Sequence, residues 1–185
     1  MLMKKFLFLS ILLLLITACS NTSSNMTKEF LESVPHPEST KILYEQQKDE
    51  NKVVLYEDET GFRVGYKNLD GKYWTHTGNG EINPGDGFDW VMNNNPKIPI
   101  TLFGGIITNE QITTVLVKQK TMEKEATIIE TDEGLRGWFV TFDSLEDADP
   151  GEPDPLKIEA FDSNGNILWK DGIYEDGHFS GMTSN

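Results

Sequence analysis

VVLYEDETGFRVGYKNLDGKYWTHT, residues 53–77, reads as three strands joined by two turns. Val53-Val54-Leu55-Tyr56 is rich in side chains that fit a pleated, half-buried surface. Glu57-Asp58-Glu59-Thr60-Gly61 supplies a turn. Phe62 to Tyr66 then alternates, with Phe62, Val64 and Tyr66 on one face. Asn68-Leu69-Asp70-Gly71 is a second turn, and Asp-Gly is a strong hairpin signal. Lys72 to Thr77 alternates again, with Trp74 and His76 on one face and Tyr73, Thr75 and Thr77 on the other. The stretch predicts an antiparallel meander.

The same rhythm runs on toward the C-terminus. Ile112 to Lys118, Glu125 to Thr131, Leu135 to Phe142, Leu156 to Phe161 and Asn166 to Lys170 are further strand candidates. Pro96 to Thr108 is apolar, and its Gly104-Gly105 pair suggests a strand with a bulge or a turn. Residues 78–95 are irregular, with Phe88, Trp90 and Val91 as apolar islands. Toward the N-terminus, Thr27 to Val34 suits a short helix carrying Phe30, Leu31 and Val34 on one side. Pro35-His36-Pro37 ends it, and Pro37 to about Glu50 suits a second helix. No βαβ alternation is present. The expectation is a mainly β fold, an antiparallel β-sandwich or open barrel of short strands with one or two N-terminal helices. Glu57-to-Arg63 and Glu130-to-Arg136 echo each other, either through duplication of a hairpin or through one good hairpin solution reached twice.

The first residues have a different character. Lys4 and Lys5 precede an apolar run, Phe6 to Ile16, broken only by Ser10. The run is roughly half of the ~20 residues a membrane-spanning helix needs. A basic start, a short apolar stretch and small residues at the end read as a secretory signal. Ile16-Thr17-Ala18-Cys19 closes it and contains the only cysteine. This segment resembles the signal peptide and lipobox of a bacterial lipoprotein precursor. The resemblance implies that Cys19 receives a diacylglycerol and that the chain is cut between Ala18 and Cys19. It places the protein at the cell membrane, lipid-anchored on the extracytoplasmic face. Two acyl chains anchor firmly where one is marginal. The expected organisation is a signal peptide over 1–18, a lipidated tether over 19–27, a single β-rich domain over 28–172, and a polar, unpacked tail over 173–185. In layout the globular part resembles small Gram-positive-type lipoproteins, a likeness that transfers no site residues.

Composition narrows the function classes. Sixteen Lys and Arg face thirty Asp and Glu, a formal charge of −14. The leader carries two lysines and no acid, so the remainder stands at −16. Such a chain is ill suited to nucleic acid or anionic headgroups, which need clustered Lys and Arg. With Cys19 lipidated, no thiol remains for disulfides or metal thiolates, and no cofactor is expected.

Several residues could carry chemistry. His36, His76 and His178 lie far apart and share no metal-ligand spacing. His76, next to Trp74 and a Gly-rich loop, is the one candidate base, and no G-x-S-x-G nucleophile elbow accompanies it. Glu81, Asp86 and Asp89 beside Trp90 have the layout of a glycosidase or of a sugar-binding loop. The favoured reading of the same layout is that Phe88 and Trp90 plug one end of a β core while Asp86 and Asp89 hydrogen-bond turns. Asp143, Glu146, Asp147, Asp149, Glu152 and Asp154 form an acidic loop. The first four are weak calcium candidates, since hard oxygens suit that ion but EF-hand spacing is absent. Asp162-Ser163-Asn164-Gly165-Asn166 begins like a calcium loop but reads as a hairpin turn. No phosphate-cradling glycine motif is present.

The function expected is that of a binding or accessory module at the cell surface. Its candidate ligand-contacting residues are Tyr73, Trp74, His76, Asp86, Phe88, Asp89 and Trp90. Its partners would be membrane lipid, through diacylglyceryl-Cys19, and a cell-wall component or membrane protein. The alternatives are a cell-wall-directed hydrolase using the carboxylates and a cation-binding surface protein.

Overall fold

The computed structural model describes residues 28–183, except 49–50, 69–72, 96, 144, 148–149 and 153. The expected leader, the Ile16–Cys19 motif and the tether lie outside the described residues. The chain divides into two units, one ending at Pro37 and one running from Glu38 onward. The described part of the first contains a single turn and a half of helix, α1, over residues 28–33. Phe30 and Val34 are buried there, and the Ser33 hydroxyl donates to the Phe30 carbonyl.

The second unit is antiparallel β throughout. Its first sheet contains β1 (Lys41–Lys48), β2 (Asn51–Asp58), β3 (Gly61–Asn68) and β4 (Trp74–His76), paired in chain order. This is the predicted meander. The second helix expected over Pro37 to Glu50 is not formed, because β1 occupies that place. Ile42-Leu43-Tyr44 is three apolar residues in a row, which marks no helical stripe. Pairing with β2, from Lys41↔Glu57 to Lys48↔Asn51, overrides a weak local preference. The pairing also holds an ion pair, with buried Lys52 Nζ 2.6 Å from Glu45 Oε1.

The second sheet is formed by β5 (Val91–Asn94), β6 (Thr101–Ile107), β9 (Thr127–Glu130) and β10 (Arg136–Phe142), in the order β5-β6-β10-β9. Every residue of β6 is buried. Leu102 and Ile106 belong to a core shared with Val53, Leu55, Phe62 and Val64 of the first sheet. Phe103 and Ile107 point the other way, into a core with Val115, Val117, Ile158 and Trp169. The sheet is therefore a middle layer, and β6 reads as a continuous apolar run because both of its faces are covered. Gly104 and Gly105 make neither bulge nor turn, since β6 keeps an unbroken register with β10. They permit close approach instead. A Cβ on Gly104 would lie 2.5 Å from Val64, and one on Gly105 would lie 1.9 Å from the Asp89 carbonyl oxygen.

The third sheet contains β7 (Thr114–Lys118), β8 (Glu123–Glu125), β11 (Lys157–Phe161), β12 (Ile167–Tyr174) and β13 (Gly177–Met182), in the order β13-β12-β11-β7-β8. The expected unpacked tail over 173–185 is corrected here. β12 passes through that boundary, and β13 pairs back on it from Tyr174↔Gly177 to Trp169↔Met182. Polar composition conceals the strand because β13 is held through its backbone and is almost wholly exposed. The two echoing segments form the β2–β3 and β9–β10 hairpins. They close differently, Asp58 facing Gly61 in one and Glu130 facing Arg136 across a longer loop in the other.

Candidate functional site

The segment leading into β5 is pinned by its carboxylates. Asp89 Oδ2 accepts the Glu81 amide at 2.6 Å, while the Asp89 amide donates to the Ile106 carbonyl. The Asp89 carbonyl accepts the Trp138 indole N–H at 3.1 Å. Asp86 Oδ2 accepts the Trp169 indole N–H at 2.8 Å. Phe88 is buried between those indoles, its ring centroid 5.4 Å from Trp138 and 4.6 Å from Trp169. Burial raises the Asp89 carboxyl above its ordinary value, against the backbone N–H bonds that lower it. Phe88 thus closes the core, Asp89 ties the loop back at Glu81, and Asp86, exposed like Glu81, fastens the loop to the Trp169 indole.

Tyr73, Trp74 and His76 sit at the edge of the first sheet. Tyr73 is 66% exposed. Trp74 stacks on His76 with centroids 6.1 Å apart, and Lys67 Nζ lies 5.9 Å from the indole centroid. His76 Nδ1 is 3.0 Å from the Tyr56 hydroxyl. Burial, and then the Arg63 charge, push the His76 imidazole down to about 4. Burial likewise raises the Tyr56 phenol. Arg63 is itself held by Asp58 at 2.9 Å and by the Thr77 carbonyl at 3.1 Å. A half-buried imidazole that resists protonation is a weak base at neutral pH.

Trp90 belongs to a different place. It lies immediately before β5, at the margin of the middle sheet, and its indole N–H donates to Asp171 Oδ2 of β12 at 3.0 Å. The Ser180 hydroxyl of β13 donates to the same oxygen at 3.1 Å. His178 Nε2 lies 3.4 Å from the other oxygen, Asp171 Oδ1. Trp90, Asp171 and His178 border a cleft of about 250 Å³ with Leu156, Ile158 and Ile173 as apolar wall and Asp154 at its rim. Asp171 and Ile173 share the β12 face that, further along, buries Trp169 in the core. The cleft is the open end of the gap between the second and third sheets.

Trp74 and His76 therefore do not meet Trp90. Asp171 and His178 border this cleft and the sequence reading misses both, Asp171 because the strand is ended at Lys170 and His178 because its polar surroundings suggest a loose tail. A signal for them does exist in the apolar residues Ile167-Leu168-Trp169 and Ile173 on either side of Lys170-Asp171-Gly172, followed by Glu175-Asp176-Gly177, a turn.

The acidic loop is tied down rather than gathered. Glu146 accepts from the Thr121 amide and hydroxyl, and its backbone exchanges hydrogen bonds with the Gln119 side chain. Asp149 lies outside the described residues. Among the described residues no three His, Asp or Glu side chains are grouped to hold a metal. Asp162 is the hairpin turn its neighbours predict, with Oδ1 accepting the Asn164 and Asn166 amides at 2.8 Å each. Among the described residues no helix is long and apolar enough to cross a membrane. The chain matches no protein-family model, no curated protein and no solved structure.

Proposed function

We propose that this chain is a lipid-anchored binding module on the extracytoplasmic face of a cell membrane. Cys19 is its attachment point and the Trp90 cleft is its recognition site. The single observation that supports the binding role is the fixed Trp90 indole beside Asp171, facing a small cleft with an apolar wall and a polar rim, the usual make-up of a ligand site. The anchor rests on the Ile16-Thr17-Ala18-Cys19 motif and its apolar leader. Both halves have direct tests. In a bacterial host fed labelled palmitate, the parent chain should incorporate label and sediment with membranes, and Cys19→Ala should lose the label. A Cys19→Ala chain that is still labelled would sink the anchor. For the cleft, with the full chain in non-ionic detergent so that its lipid does not hold it, Trp90→Ala should abolish retention of the protein on detergent-washed cell envelopes while leaving lipid attachment intact. Unchanged retention would remove the cleft from the recognition role.

A further inference from the structure

The chemistry of the Trp90 cleft is one-sided. Its charged members are two carboxylates, Asp154 and Asp171, and none of its bordering residues is Lys or Arg. The neighbouring strands carry lysines: Lys118, Lys120 and Lys157 border an adjoining cleft that Asp154 and Ile173 also touch, and there Lys118 pairs with Glu159 and Lys120 with Glu152. Lys157 and Lys170 place their ammonium groups 4.5 and 4.2 Å from the Tyr174 ring centroid, and Lys170 lies 4.7 Å from that of Phe179. Strand alternation explains the separation, because Lys170 and Tyr174 project from the opposite face of β12 to Asp171 and Ile173. Asp171 thus faces the cleft on the side away from Lys170, and Asp154 lies between this cleft and the one bordered by lysines.

Their oxygens are unevenly occupied. Asp171 Oδ2 already accepts from Trp90 and Ser180, whereas among the described residues Oδ1 has the exposed His178 ring nearby. Asp154 Oδ1 accepts the Leu156 amide at 2.9 Å. The remaining capacity is for hydrogen-bond donors carrying positive charge. An indole is the best aromatic partner for a cation, and the wall of Leu156, Ile158 and Ile173 suits hydrocarbon. A cleft of about 250 Å³ lies just under the ~300–1,000 Å³ typical of sites for drug-sized molecules.

Resting on the binding role proposed above, we infer that the cleft takes a small organic cation, an ammonium group on a short apolar body. The ammonium sits at Asp171 and Asp154 beside Trp90, and the body lies along Ile158 and Ile173. An anion would meet two carboxylates, and a neutral alkyl chain would leave them without a counter-charge.

The test uses the full chain in non-ionic detergent, labelled with ¹⁵N. The indole N–H signal of Trp90, identified by its loss in Trp90→Phe, reports directly on Asp171. Butylammonium should shift it saturably, whereas 1-butanol and butyrate at equal concentration should not. Asp154→Asn and Asp171→Asn should each weaken the butylammonium response at least tenfold. Asp154→Asn changes a rim residue and keeps the test valid if Asp171→Asn disturbs folding. An equal response to 1-butanol, or a response indifferent to both substitutions, overturns the cation assignment. A saturable shift with N-acetylglucosamine and none with butylammonium also overturns it, yet leaves the cleft as a binding site. No shift with any probe overturns both.

Discussion

His76 shows how one side chain can be legible as unusual and still be misjudged in kind. Its place beside Trp74 and a Gly-rich loop marks it out, but only the fold reveals that it is half-buried against Tyr56 and near Arg63. The consequence is a pH effect on stability. An unfolded histidine titrates at the ordinary 6.5 and the folded one at about 4, so the unfolded chain binds the proton first. This contribution is complete above pH 6.5 and declines as pH falls toward 4. Across that window the loss is roughly 3 kcal/mol, because a tenfold difference in proton affinity is worth about 1.4 kcal/mol. His76→Gln removes the titrating group. Urea unfolding at pH 7 and at pH 4.5 should show the parent losing about 2–3 kcal/mol more than the variant. Equal losses would mean that His76 protonates in the folded state without penalty. The carboxylates near Trp90 carry the same lesson. Asp86, Asp89 and Trp90 are visible as a group in the sequence, and two alternatives fit them. Distinguishing these requires knowing that Trp138 and Trp169, some fifty and eighty residues away, donate their indole N–H groups there.

At the scale of elements, strands with alternation and turn signals are legible, and those stabilised only by their neighbours are not. The β2–β3 hairpin is plain from Phe62, Val64 and Tyr66. β1 reads as helix because its polar residues gain meaning only when Lys52 and Glu45 meet across the pair. β13 reads as tail because nothing in Gly177–Met182 is buried enough to leave a hydrophobic pattern. β6 is half legible. Its apolar run is evident, and its paired glycines point to an irregularity that is absent. Their role gives a graded prediction. Gly105→Ala would set a Cβ 1.9 Å from a backbone oxygen that cannot move without dragging the Phe88 loop. It should cost at least ~2 kcal/mol as an overpacked core position. Gly134→Ala has open space around it but needs φ near +81°. That substitution should cost about 1 kcal/mol, the ordinary left-handed penalty. Chemical unfolding of the two variants under identical conditions decides the order. If Gly105→Ala were the milder change, close approach would not be the reason for the glycine.

At the scale of the whole molecule, a mainly antiparallel β fold is readable from the spacing of strands and turns. The number of layers is not. A two-sheet sandwich and a three-sheet stack use the same alternating strands, and they differ only in whether one sheet is covered on both faces. Here β6 supplies side chains to two cores at once, Ile106 to one and Ile107 to the other. Two cores joined through one strand cannot melt independently, because loss of either uncovers a face of the same backbone ladder. Ile106→Ala and Ile107→Ala should therefore each cost about 2–5 kcal/mol, the usual range for buried isoleucine truncation. Both should shift one and the same unfolding transition. The tryptophans allow this to be seen. Trp138 and Trp169 lie in the core shared with the third sheet and Trp90 packs against it, so in a Trp74→Phe background tryptophan fluorescence reports that side, while far-ultraviolet circular dichroism reports all three sheets. In the parent and in both variants, the two signals should change together along a urea gradient. A variant in which Ile107→Ala moved the fluorescence change while the dichroism kept a separate, unshifted step would show two independently folding layers. The middle sheet would then be a contact between two sandwiches rather than their common core.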